Sequence, residues 1–118
     1  MITSTNNAEH YTWGDQCDGW HLVRTDNLSV IQERMPPCTS EQLHFHQNAQ
    51  QLFYILSGTA TFEVEGEMWA VKPGESIHIP KLIKHRVINH DTSDLCFLVI
   101  SEPKAHGDRV NLSCPAGT

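Results

Sequence analysis

No stretch of Lys or Arg runs together anywhere in the 118 residues. Eight basic side chains stand against 14 acidic ones, for a formal net charge of -6 at pH 7. Neutralising phosphates takes a basic face, so nucleic acids and anionic membrane surfaces are set aside as partners. No apolar run approaches the roughly 20 residues needed to span a bilayer. The first residues, Met1-Ile2-Thr3-Ser4-Thr5-Asn6-Asn7, are polar and lack the basic-then-apolar order of a secretory leader. A cytoplasmic location is the expectation. The four cysteines, Cys17, Cys38, Cys96 and Cys114, contain no C-x-x-C pair, which argues against a zinc ribbon or a thioredoxin-like motif. Cys96, inside the apolar run Leu95–Ile100, reads as a buried thiol, and Cys17 and Cys114, in polar flanks, as free ones. Repeats, low-complexity blocks and linkers are missing too, and no segment holds a 3.6-residue apolar period.

What is present is β patterning over one domain, residues 1–118, with a core barrel over about 20–102 and loose termini. Leu28 and Val30 belong to a short strand. Gln51–Leu56 is rich in aromatic and β-branched residues. Thr59–Glu65 alternates apolar with polar, Gly66 marks a hairpin, and Met68–Val71 returns. Lys72-Pro73-Gly74-Glu75 is a tight turn. Ser76–Pro80, His85–Asn89 and residues 95–101 complete the set. Short strands with turns about every ten residues predict an all-β sandwich or closed barrel.

Eight histidines is a high number for this length. His44 and His46 are one residue apart, and on a strand positions i and i+2 face the same way. Both imidazoles can therefore reach one ion. The spacing extends as His44-x-His46-x4-Gln51-x6-Gly58, and further on as Gly74-x5-Pro80-x4-His85-x3-Asn89.

These two stretches resemble the paired motifs of the cupin superfamily, whose fold is a small double-stranded β-helix, a jelly-roll-like barrel. The resemblance spans residues 38–89. It implies ligand roles for His44, His46 and His85 around one divalent metal ion. It also places Gln51 where most members of the family carry glutamate. Cys38 and Leu82 stand where the motifs usually have glycine, and at Cys38 a positive φ would carry a backbone cost. The resemblance further implies a homodimer and a small-molecule ligand or substrate.

Glutamine offers a neutral amide oxygen. It cannot be a general base and leaves the charge of the ion undiminished, so a substrate oxygen would be polarised more strongly. Imidazole suits Zn, Fe, Ni and Cu alike, with zinc the first expectation. Strand parity puts Phe53 and Ile55 on the face of Gln51, and Val87 and Asn89 on that of His85. Phe53, Ile55 and Val87 are thus expected to line a pocket, with Asn89 bonding at a strand end. His78 and Tyr54 take the opposite parity and carry little weight. His10, His21, His90 and His106 have no partner at metal spacing and read as surface or loop residues. The segment His106-Gly107-Asp108-Arg109 could cover a barrel mouth or lie on the surface.

Two functions follow from the family. One is a metal-dependent enzyme acting on a small oxygenated substrate, by Lewis-acid chemistry of an isomerase, cyclase or lyase type or as a dioxygenase. The other is a non-catalytic binding or sensing module, favoured by the lack of a carboxylate obviously placed beside the motifs. A third reading, a metal that only staples the barrel, ranks below both.

Overall fold

A computed structural model describes residues 1–112. All its regular elements are strands: β1 (Glu9–Trp13), β2 (Cys17–Arg24), β3 (Ser29–Met35), β4 (Thr39–Ser40), β5 (His44–His46) and β6 (Gln50–Ser57). They are followed by β7 (Ala60–Val64), β8 (Glu67–Val71), β9 (Ser76–Ile79), β10 (His85–Asn89), β11 (Leu95–Glu102) and β12 (Arg109–Asn111). One sheet has the order β1-β2-β3-β11-β6-β9. The other has the order β12-β5-β10-β7-β8, with β4 also on β10. Every pairing is antiparallel, and the two sheets face each other as the expected double-stranded β-helix.

The strands run beyond residues 20–102 on both sides. β1 and the first residues of β2 lie in the stretch read as a loose terminus, and Cys17 in β2 is fully buried. The reason is pairing: β1 and β2 form a hairpin that extends the first sheet beyond β3. Cys96 departs from its expectation as well. In β11 the inward set is Leu95, Phe97, Val99 and Ser101, so the alternation leaves Cys96 on the other face and only partly buried. Cys114 lies outside the described residues.

The core follows the same period of two. Phe53 packs against Phe62 and Phe97, with ring centroids 5.0 and 5.8 Å apart. Met35, Ile55, Val87 and Leu95 are buried with them. Ile55 and Val87, expected to line a pocket, lie in this packed core. One step along each strand moves the inward face from cavity to core.

The two positions where glycine was expected both have left-handed backbone: φ is +63° at Cys38 and +70° at Leu82. Each sits in a turn tied to the barrel. Cys38 N–H donates to the Asn89 carbonyl at 3.0 Å, and Leu82 N–H to the His46 carbonyl at 2.8 Å. Asn89 bonds at the strand end as expected. Its amide donates to the carbonyls of Met35 and Ser93 and accepts from the Asp91 N–H.

Candidate metal centre

β5 carries His44 and His46 on one face, and its neighbour β10 brings His85 opposite His44. All three imidazoles are buried. Each offers a ring nitrogen, and these atoms lie within 4.8 Å of one another. The His44 ring centroid is 4.4 Å from that of His85 and 5.0 Å from that of His46.

Hydrogen bonds set two of the rings. His44 Nδ1 lies 2.7 Å from the Gln42 carbonyl, and His85 Nδ1 lies 2.8 Å from the Ile83 carbonyl. A carbonyl only accepts, so each Nδ1 carries the proton and each Nε2 presents a lone pair. His46 Nδ1 is buried without a partner, and the nearest carboxylate, that of Asp108, is 3.9 Å away. Burial pushes all three rings towards the neutral form, His44 and His46 down to about 4 and His85 downwards as well. Neutral imidazole is the form that binds metal.

Gln51 joins this group from β6. Its Oε1 lies 3.2 Å from His85 Nε2, and its amide donates to Ser101 Oγ at 3.0 Å. With the proton of His85 on Nδ1, two lone-pair atoms face each other across that 3.2 Å. A cation between them would satisfy such a pair. The residues present therefore fit a divalent ion: three neutral nitrogen donors and an amide oxygen, converging in one place.

His44, His46 and Gln51 of this group line a cavity of about 310 Å³, with His85 buried behind them. Phe53 lines it as expected, beside Ile31 and Val99. The same lining holds residues that sequence reasoning missed, Tyr11, Glu33 and Glu41, together with Arg109 of the tail segment. A signal for Glu33 was available. In β3 the inward parity runs Ser29, Ile31, Glu33, Met35, and a carboxylate on that face stands out. The expectation that no carboxylate stands near the motifs is therefore corrected. Burial raises the carboxyl of Glu41, although Arg109, with Nη1 3.4 Å away, opposes the shift.

The segment 105–109 covers the cavity mouth. Ala105, His106, Gly107 and Arg109 line it, and β12 pairs with the H-x-H strand. Asp108 pins the segment by accepting from the N–H groups of Gln47, Asn48 and Ala49 at 2.8–3.1 Å. His106 and His21, expected at the surface, meet edge to face at 5.5 Å, and His21 is buried. His78 and Tyr54 are exposed on the other face of the sheet, as parity required.

A family model described as a cupin domain matches residues 31–101. An uncharacterized protein of Methanocaldococcus jannaschii is 29% identical over 75 residues, covering 64% of this chain and 60% of that protein. An oxalate-binding protein of Thermotoga maritima is 30% identical over 67 residues, covering 57% of this chain and 55% of that protein. The chain thus spans under two thirds of the length of these relatives. Among solved structures, a polyketide cyclase of Streptomyces resistomycificus superposes with a TM-score of 0.81 at 18% identity, covering 98% of this chain and 87% of that one.

Proposed function

The chain belongs to the cupin family, and from that premise we propose that it is a metal-dependent enzyme acting on a small oxygenated organic molecule. His44, His46 and His85 hold one divalent transition-metal ion, with Gln51 as the fourth protein ligand. Zinc is the first choice of ion, with iron, nickel or copper as the others. The observation that carries this reading is the convergence of three buried, neutral imidazoles, two of which, His44 and His46, line a cavity that also contains polar groups.

When bound, the ion supplies Lewis-acid stabilisation of negative charge on a substrate oxygen. The protein's own residues do the rest. The Gln42 and Ile83 carbonyls fix the ring orientations, and Ser101 fixes the amide of Gln51. Phe53, Ile31 and Val99 exclude water from one side of the cavity. The segment 105–109 closes the mouth. A neutral ligand set favours isomerase, cyclase or lyase chemistry on an oxygenated carbon centre, with dioxygenase chemistry next. The similarity to an oxalate-binding protein supports a second reading, a module that binds or senses a small ligand without turning it over. Both readings keep the homodimer and the cytoplasmic location expected from sequence.

Elemental analysis of protein purified without an affinity tag tests the site. About one ion per chain is expected in the wild type, and almost none in His46→Ala. Equal metal content in the two proteins would sink the assignment. Gln51→Glu is expected to retain the ion, because a carboxylate oxygen replaces the amide oxygen in the same place. Oxygen consumption with an iron-loaded sample then separates dioxygenase from redox-neutral chemistry.

A further inference from the structure

Resting on the reading of the histidine triad as a metal site, we propose that Tyr11 and Glu33 form a second recognition point in the same cavity. They hydrogen-bond a hydroxyl group of a small uncharged ligand whose other oxygens meet the metal.

The pair is built by strand register. Tyr11 in β1 lies opposite Gly19 in β2, and Gly19 lies opposite Glu33 in β3, so the three form one cross-strand row on the inward face. The middle position has no side chain, and the tyrosine ring lies across it. A Cβ at Gly19 would sit 2.6 Å from Tyr11 Oη. Across the glycine the phenol reaches Glu33, donating to Oε1 at 3.4 Å. Both side chains line the cavity that holds His44, His46 and Gln51.

A carboxyl on a wall whose inward neighbours are Ile31 and Met35 is costly unless it has a partner. Tyr11 supplies one long hydrogen bond. Arg109, the one guanidinium or ammonium among the described lining residues, is committed to Glu41, to the Gln42 carbonyl and to Asn111. The groups facing Glu33 are Tyr11 from β1, Glu41 from the segment before β5, and Arg109 from β12. Burial first, and then the like charge of Glu41, push the Glu33 carboxyl up to about 8, against smaller opposing effects of Tyr11 and Arg109. The phenol and the carboxyl together offer a donor and acceptors, which suits a ligand hydroxyl. Among the described lining residues no side-chain cation is free for a ligand carboxylate or phosphate, so the ligand is uncharged at this end. The Tyr11 and Trp13 rings lining the same space suit a flat, ring-shaped body.

Two pyranones that differ at one hydroxyl test the proposal. Kojic acid and allomaltol share the same metal-chelating oxygen pair, and kojic acid alone carries a hydroxymethyl group at the far end. Zinc-loaded protein is titrated with each by calorimetry, with zinc content measured in the same samples. Wild type is expected to prefer kojic acid by about fivefold or more, the worth of a satisfied hydrogen bond. Glu33→Ala is expected to bring that ratio close to one with zinc content unchanged. Glu33→Gln, which keeps the shape and the hydrogen-bonding capacity, is expected to preserve most of it, and Tyr11→Phe to reduce it. Zinc bound with no preference in the wild type, or with the same preference in Glu33→Ala and Tyr11→Phe, overturns the role of the pair and leaves the metal reading intact. Wild-type protein that holds no zinc overturns the metal reading, and this inference with it.

Discussion

The two ends of the barrel interior are built from the same strands and serve opposite purposes. β11 contributes Leu95 and Phe97 to an apolar cluster, then Val99 and Ser101 to the cavity; β6 contributes Ile55 at one end and Gln51 at the other. β10 does the same with Val87 and His85. On β6 and β10 the inward face changes from hydrocarbon to candidate metal donor within two to four residues. One end gains stability by close packing. The other gives some of it up, burying three histidines and half-burying two carboxyls at a desolvation cost that a ligand can help to offset.

The contrast can be broken first at its apolar end. Phe97→Ala removes a fully buried ring that packs on Phe53 and is expected to cost about 3–5 kcal/mol in urea unfolding of the metal-free protein. His44→Ala should cost much less in the same assay while abolishing metal content. Comparable losses in the two variants would mean that the histidines hold the fold as well as the ion.

Asp108 holds the mouth segment to the loop after β5. It is buried and accepts three backbone N–H groups, so Asp108→Ala is expected to cost about 1.5–3 kcal/mol. The Gln47, Asn48 and Ala49 amides should exchange hydrogen faster in that variant. Unchanged exchange would show that β12 alone holds the segment.

A smaller effect sharpens the comparison on the polar side. Glu33 has its folded value raised to about 8 from the ordinary carboxyl value of 4.5. Between these values the folded protein binds more protons than the unfolded chain. The associated stability is fully present below pH 4.5 and is lost as pH rises towards 8. Metal-free wild type is therefore expected to lose about 2 kcal/mol relative to Glu33→Gln between pH 5 and 8, after allowance for solvent screening. Parallel pH profiles would show a carboxyl that ionises normally.

The smallest effects belong to the turns. Cys38→Gly and Leu82→Gly relieve left-handed backbone at each position and are expected to stabilise the protein by up to about 1 kcal/mol each, since added freedom in the unfolded chain offsets part of the gain. Thermal unfolding reads this directly.

Much of this contrast was legible before any coordinates. The H-x-H pair, Gln51 and His85 came from spacing and resemblance, and the parity of β6 and β10 correctly assigned their inward faces. Parity could not say how far along an inward face the cavity extends, and so Ile55 and Val87 were placed in the pocket instead of the core. Cys96 was misread because a short apolar run does not show which alternate residues face in. The stretch before residue 20 showed no strong period, because β1 and β2 gain their structure from pairing onto β3 and not from their own composition.

The sequence by itself determined the fold family and the candidate ligands, through the family resemblance of its paired motifs, and the strained turn at Cys38, because each depends on residue type at fixed local spacing. Only the tertiary structure decided what surrounds the candidate metal centre. Tyr11, Gly19, Glu33, Glu41 and Arg109 come from strands and turns far apart in the chain. They meet because antiparallel register and sheet order set which distant residues share a wall, and neither can be read from any one segment.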